Sequence, residues 1–304
     1  MTLRRPVLLL VLALAPLLAP IWAPLWASAS VPPRQGLLRV NVFAADGLDP
    51  RHEQPRTQRP FAAIGLLETQ HAVPVIADDG EAHFEHTQST AFLVSPCYAV
   101  TNYHSVFGDE SAPGEAAGDY AVTLSVGARR DGRGFADHTR AVPVMHGDPG
   151  DDREEEDWAL LRLDHCLGAD PAIGWLDLSP RPLAAMAARS VSIAGYSSAQ
   201  DRGRLWREDG CHLMARPRDR SLWSSDCAAS DGASGSPVFV VEAGRPRIVG
   251  IMEGSEDDRP GVQRRYTAQT ANIVIDIGAI LRQPKVRAAI DADLHARAAP
   301  PAAL

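Results

Sequence analysis

The residues best suited to chemistry lie between Asp226 and Val240. There Ser234 is bracketed by Gly232 and Gly235, and an apolar β-forming run, Pro237-Val238-Phe239-Val240, follows at once. Glycine adopts backbone angles that other residues avoid. A serine in such a turn can be pushed out beside backbone N–H groups. Acyl transfer needs that pairing: an exposed nucleophile next to donors for a developing oxyanion. A Gly/Ser-rich turn before a strand is also an ordinary hairpin, so the reading depends on partners. A serine nucleophile needs a base, and the base needs an orienting acid.

Two positions upstream fit those roles. Tyr98-Ala99-Val100-Thr101-Asn102-Tyr103-His104 reads as a strand that delivers a histidine where a loop begins. Asp157 ends the acidic run that starts at Asp148 and abuts the apolar strand Trp158 to Leu163. The loop acids before it read as solvated, although such a run can also hold a hard cation. Asp157 differs because it stands at the mouth of a buried strand, where a carboxylate is desolvated and can orient a neighbour. A second His/Glu group, Glu81 to His86, could be drawn as a metal cluster but reads as a solvated hairpin with Phe84 turned inwards.

The elements that must position these side chains are short strands. Pro60 to Leu67, His71 to Ile76, Ser89 to Val94 and Ala121 to Val126 precede Asp157, with Ala141 to Met145 as an edge strand because it contains Pro143. After a Pro/Gly-rich connection at 167–189, strands are expected at Val191 to Tyr196, Gly203 to Trp206, Gly210 to Ala215, Arg247 to Glu253 and Tyr266 to Ala271. Asn272 to Leu281 reads as a short closing helix by its apolar spacing, and 283–304 as a tail that extends that helix in part and is then disordered. No repeat or heptad pattern is present.

The bulk properties agree. In 304 residues, 45% hydrophobic and 22% charged, there is material for a substantial core. A net charge of −8 offers no basic nucleic-acid footprint, so no nucleic-acid partner is expected. Gly and Pro, 24 each, suit many turns and short strands. Arg4 and Arg5, the uncharged run from Pro6 to Ala27, and Ala27-Ser28-Ala29 have the layout of a secretory signal peptide over 1–29. A retained membrane anchor is the alternative, disfavoured by Pro16, Pro20 and Pro24. Residues 30–58 read as an N-terminal arm or propeptide. Export to an oxidising compartment, secreted or periplasmic, suits Cys97, Cys166, Cys211 and Cys227, which allow three pairings. No spacing suggests a metal–thiolate site.

With His104, Asp157 and Ser234 in that order, each at the start or end of an apolar strand, the chain resembles a chymotrypsin-fold (trypsin-like) serine peptidase. It is most similar to the bacterial V8-like, or glutamyl-endopeptidase-like, branch. The carrying residues are Thr101-Asn102-Tyr103-His104, Asp157-Trp158-Ala159-Leu160-Leu161 and Gly232-Ala233-Ser234-Gly235-Ser236-Pro237, and the resemblance covers about residues 55–282. It implies an all-β fold of two six-stranded antiparallel Greek-key barrels, over about 59–170 and 185–272, with the active site between them and a closing helix at 272–282. It implies Ser234 as nucleophile, His104 as base, Asp157 as its orienting acid, and the N–H groups of Gly232 and Ser234 as oxyanion donors. It further implies disulfides Cys97–Cys166 and Cys211–Cys227, worth roughly 4 and 3 kcal/mol by loop closure. Substrates would be proteins or peptides, with no metal or organic cofactor, and the chain a monomer.

Departures from the pattern bear on specificity. Trypsin-type members carry an aspartate just before the serine, which pairs with a newly cut N-terminus. Here that residue is Ala233. Glutamyl endopeptidases hold the substrate carboxylate with a threonine and a histidine, and Ala229 and Met252 occupy those positions. A pocket edged by Ala229 and Met252 would take apolar side chains, and Glu253, if it turned inwards, basic ones. A catalytically silent secreted binding module on the same fold is the rival reading. An assembling stress-type peptidase is weakened by the short chain after 282, and a lipase or esterase by the strand-only pattern and the triad order.

Overall fold

A computed structural model describes residues 41–298, apart from 44–47, 58, 72–74, 77–81, 84–85, 109–119, 130–133, 151–152, 180, 182, 186–189, 198–202, 217–220 and 257–262. The signal-peptide reading and Phe84 lie outside the described residues. Two short strands open the described chain, β1 (Val42–Phe43) and β2 (His52–Glu53). They are followed by β3 (Ile64–His71), a small hairpin of β4 (Val75–Ile76) and β5 (Ala82–His83), β6 (His86–Leu93) and β7 (Tyr98–Thr101). A single helical turn, α1 (His104–Phe107), precedes β8 (Tyr120–Val126), β9 (Asp137–His146) and β10 (Ala159–Leu163).

Six of these strands close a barrel in the order β10-β7-β6-β3-β8-β9, with every pairing antiparallel. Closure removes the unpaired strand edges that otherwise invite aggregation. The inward side chains, among them Leu67, Phe92, Val100, Leu124 and Leu160, are 0–1% exposed. Pro143 was expected on an edge strand, yet β9 runs for ten residues inside the closed barrel. The fold tolerates it because β9 pairs with β8 only up to Ala141, and Pro143 faces a register shift at Leu160/Leu161. A missing N–H costs little at such an irregularity.

The second half contributes β11 (Asp177–Leu178), β12 (Val191–Tyr196), β13 (Leu205–Cys211), β14 (Leu213–Ala215), β15 (Leu222–Ser225), β16 (Pro237–Glu242), β17 (Arg245–Ser255), β18 (Gln263–Arg264) and β19 (Asn272–Asp276). Its main sheet runs β14-β15-β19-β17-β16-β12-β13-β2. Only His212 separates β13 from β14, so one bent segment pairs with β12 through β13 and with β15 through β14. The two ends of the sheet are thereby drawn round towards each other. Cys211 at that bend is bonded to Cys227, and Cys97, just before β7, is bonded to Cys166, just after β10.

Residues 272–282 differ from the sequence expectation. Asn272–Asp276 is a fully buried strand between β15 and β17, and the helix is confined to α2 (Ile277–Leu281). A short apolar run fits either period. The β-branched Ile273, Val274 and Ile275 favour the pleated form. Asp276 then caps α2, its Oδ1 accepting from the Gly278 N–H at 2.8 Å. The 283–304 tail is likewise ordered in part, as the helix α3 (Pro284–Ala298). Val286 and Ile290 are buried against the core, and Leu294 packs beside them, at four-residue spacing on one face. Asp293 fixes the helix to the first barrel, because its Oδ2 accepts from Ser95 Oγ at 2.6 Å and from the Cys97 N–H at 2.8 Å.

Removing that carboxylate leaves two donors without it. Asp293→Ala should cost roughly 1–3 kcal/mol, a drop of several °C in the thermal midpoint. An unchanged melting curve would show that α3 does not buttress the barrel.

Candidate active site

The three sequence-predicted residues come from different elements; His104 and Asp157 are in direct contact, and Ser234 Oγ bonds to the Glu253 carbonyl. His104 opens α1 directly after β7, and its 8% exposure makes it a buried histidine. Asp157 ends a 3-10 turn at Glu154–Glu156, is 4% exposed, and immediately precedes Trp158 and β10. Since β7 and β10 pair antiparallel, with Thr101 opposite Ala159, the chain leaving one lies beside the chain entering the other. The contacts between them are specific. Asp157 Oδ2 lies 2.5 Å from His104 Nδ1, and Asp157 Oδ1 accepts the His104 backbone N–H at 2.9 Å. Asn102 Nδ2 donates to the Asp157 carbonyl at 2.9 Å. Both carboxylate oxygens are thus engaged by one residue, which fixes the ring's orientation and makes Nδ1 the protonated nitrogen facing the acid.

Ser234 lies on the tight loop before β16. Gly232 and Gly235 have φ of 92° and 79°, the left-handed region in which only glycine is unstrained. A side chain at 235 would also drive its Cβ to 2.0 Å from the Thr90 carbonyl oxygen. The loop is held from the first barrel by Thr90 of β6. The Thr90 N–H donates to the Ser234 carbonyl at 2.9 Å, and Thr90 Oγ1 donates to the Gly232 carbonyl at 2.8 Å while accepting the Tyr196 N–H at 2.9 Å. Thr101 Oγ1 donates in turn to the Thr90 carbonyl at 2.8 Å. The Ala233 N–H goes to the Ser230 carbonyl and the Gly235 N–H to the Met252 carbonyl. Ser234 Oγ donates to the Glu253 carbonyl at 3.3 Å, and the residue is fully buried.

Ala229 and Met252, read as edges of an apolar pocket, are 1% and 0% exposed within the second barrel's hydrophobic cluster, alongside Val191, Val249 and Val274. In this conformation they are core residues. Glu253 is half-buried, and its carboxylate lies with a His104 ring nitrogen and an Asp157 carboxylate oxygen, all mutually within 4.8 Å. A cavity of about 690 Å³ between the inter-barrel connection and α2/α3 contains no triad residue in its wall. Of the arginines lining it, Arg181, Arg247 and Arg287 pair with Glu242, Asp177 and Asp291, so it is a poor anion site.

Several residues that hold the site were not singled out in the sequence. Asn41 exchanges bonds with Asn272: its N–H donates to Asn272 Oδ1 at 2.7 Å, and Asn272 Nδ2 donates to the Asn41 carbonyl at 2.8 Å. That same carbonyl accepts the Ala229 N–H at 3.0 Å. Arg51 pairs with Asp49 at 2.7 Å and donates to Ser230 Oγ at 2.8 Å. Asn41 and Arg51 therefore pack on the loop that leads to Ser234. Glu208 accepts the Ala228 N–H, and burial pushes its carboxyl up to about 7 against the lowering effect of that bond. The only sequence signal for these residues was polarity within otherwise apolar or linker-like stretches.

A family model described as a Trypsin-like peptidase domain matches residues 89–251, so the chain belongs to the trypsin-like peptidase family. Its fold is that of the chymotrypsin-like peptidases. A solved structure of a Glu endopeptidase superposes with a TM-score of 0.53 at 16% identity, covering 79% of this chain and 98% of that one. No curated protein sequence matches the chain.

Two variants test the supports. Thr90→Val keeps the β-branched shape but strips a hydroxyl from the Gly232 carbonyl and the Tyr196 N–H. It should cost roughly 1–3 kcal/mol and lower peptidase turnover more than tenfold, and unchanged turnover would show that Thr90 does not shape the loop. Glu208 binds its proton more tightly folded than unfolded, so its contribution is complete below about 4.5 and is lost as pH rises through about 7. Glu208→Gln cannot ionise. The gap between wild-type melting points at pH 5 and pH 8 should therefore narrow in this variant, and an equal gap would refute the assignment.

Proposed function

We propose that the chain is an exported serine endopeptidase that hydrolyses peptide bonds through an acyl-enzyme. The observation carrying this reading is the double engagement of the buried Asp157 carboxylate by the His104 main-chain N–H and ring Nδ1. An acid that fixes the tautomer leaves Nε2 as the basic nitrogen. His104 takes the Ser234 proton as Oγ attacks the scissile carbonyl, and later returns it to the leaving amine. Asp157 stabilises the imidazolium formed in between. The Gly232 and Ser234 N–H groups receive the oxyanion, a task worth roughly 3–4 kcal/mol per donor. Because Ser234 is fully buried, productive binding must include a local opening of the surface above it.

Protein or peptide substrates follow from the family. Preference for glutamate, which the name of the similar Glu endopeptidase implies, is not carried over, because Ala229 and Met252 supply no polar handle for a carboxylate. The two disulfides and the N-terminal charge-and-apolar layout support export to an oxidising space. Among the described residues no helix is long and apolar enough to cross a membrane. Segment 41–53 stays with the mature enzyme on this reading, since its Asn41 and Arg51 contacts brace the nucleophile loop.

A silent binding module would keep the barrels but not the reactivity. Ser234→Ala should abolish hydrolysis of a fluorescent casein while leaving the melting temperature within a few °C, and Asp157→Asn should reduce it by about 10⁴-fold. Retained hydrolysis in Ser234→Ala would overturn the assignment, and an inactive wild type would favour the binding module.

A further inference from the structure

Glu253 has no part in the triad scheme, yet its carboxylate stands within 4.8 Å of both a His104 ring nitrogen and an Asp157 oxygen. Its placement has a backbone cause. Along β17, Met252 pairs with Val274 but Ser255 pairs with Asn272, so three steps on one strand answer two on the other. This is a β-bulge, and the extra residue falls at Glu253 or Gly254. Bulges re-aim a side chain and recur beside active sites. The bulge follows the residues that hold the loop, because the Met252 carbonyl accepts the Gly235 N–H and the Met252 N–H donates to the Ser236 carbonyl. The Glu253 carbonyl itself accepts from Ser234 Oγ. One residue therefore touches the nucleophile with its main chain and reaches the base–acid pair with its side chain.

We propose that Glu253 is a positioning residue of the proton relay, a second carboxylate that stabilises the His104 imidazolium together with Asp157. The inference rests on the peptidase reading and deepens it. When the Ser234 O–H bond breaks, its proton passes to His104 Nε2 and its electron pair to the new Oγ–C bond. The Asp157–Glu253–His104 group goes from a charge of −2 to −1 in that step. The repulsion between two close carboxylates, present in the resting enzyme, is relieved as the imidazolium forms. Glu253 is half-buried, so solvent weakens but does not remove this effect.

The other charged groups nearby do not take over this role. Arg216 lies 3.3 Å from Glu154 and 3.2 Å from Glu256, so its charge is spent on that pair of acids. Burial raises the Asp231 carboxyl at the start of the nucleophile loop above its ordinary range. His146 packs edge-on against the Tyr103 and Phe107 rings.

An opposite charge at this range shifts an imidazole by one unit or more. NMR titration of the His104 ring in the full chain should therefore show its midpoint fall by about one pH unit in Glu253→Gln. In Glu253→Asp, which keeps the charge, most of the wild-type midpoint should return. The rate of Ser234 modification by an uncharged fluorophosphonate should follow. Its acid limb should move down by about one pH unit, and its plateau should drop by up to about tenfold. A His104 midpoint equal in wild type and Glu253→Gln overturns the proposal, whether or not the enzyme turns over. So does a change confined to KM for cationic peptides, which would make Glu253 a specificity residue. A wild type that titrates as expected but never reacts with the fluorophosphonate would sink the peptidase reading and leave the electrostatic one standing.

Discussion

Everything at the candidate site depends on Thr90 binding a loop that belongs to the other barrel. Its N–H and hydroxyl take the carbonyls of Ser234 and Gly232, and its own carbonyl is held by Thr101, three residues before His104. One buried threonine thus links the strand that leads to the histidine with the turn that carries the serine. The turn can be that tight because Gly232 and Gly235 occupy left-handed angles, and Thr90 can come that close because residue 235 has no side chain. The same two peptide planes carry the Ala233 and Gly235 N–H groups, which donate to the Ser230 and Met252 carbonyls, so both planes are held on both edges.

The electrostatics follow from burial. Asp157 and His104 are withdrawn from water and satisfied by each other, which strengthens their interaction relative to a surface pair. Glu208, on the neighbouring wall, shows the cost of the same withdrawal when the nearby Arg51 charge offsets it only in part and Asp226 and Asp49 add to it. Its proton is held to about neutral pH, and its bond from the Ala228 N–H recovers only part of that cost. The second barrel's wall is therefore held by polar contacts from Asn41, Arg51, Asn272 and Glu208.

His104, Asp157 and Ser234 stood out as candidates because each ends or begins an apolar strand, and strand ends are fixed by periodicity and by glycine. Both disulfides followed once the fold was inferred from resemblance, although the cysteine spacing left three pairings open. The stretch at Asn272–Asp276 was misread because five buried residues carry no period that separates strand from helix, and only the β-branched run argued for a strand. The length of the helix over Pro284–Ala298 was not legible, because Ala- and Arg-rich sequence hides a sparse apolar face of Val286, Ile290 and Leu294. Asn41 and Arg51 were not legible, since their partners lie 231 and 179 residues away. Ala229 and Met252 were read as pocket edges, but sequence position cannot distinguish a pocket wall from packed core. Glu253 was flagged for its charge; the bulge that aims it appears only in the strand register.

The central claim is that the nucleophile loop presents Ser234, and no other serine, as a reactive alcohol. Tandem mass spectrometry of the folded protein after treatment with a fluorophosphonate tests it most directly. One adduct is expected, on Ser234, that disappears when the protein is unfolded before treatment or when His104 is replaced by alanine. An adduct on a different residue, or one on Ser234 that survives loss of His104, would contradict it.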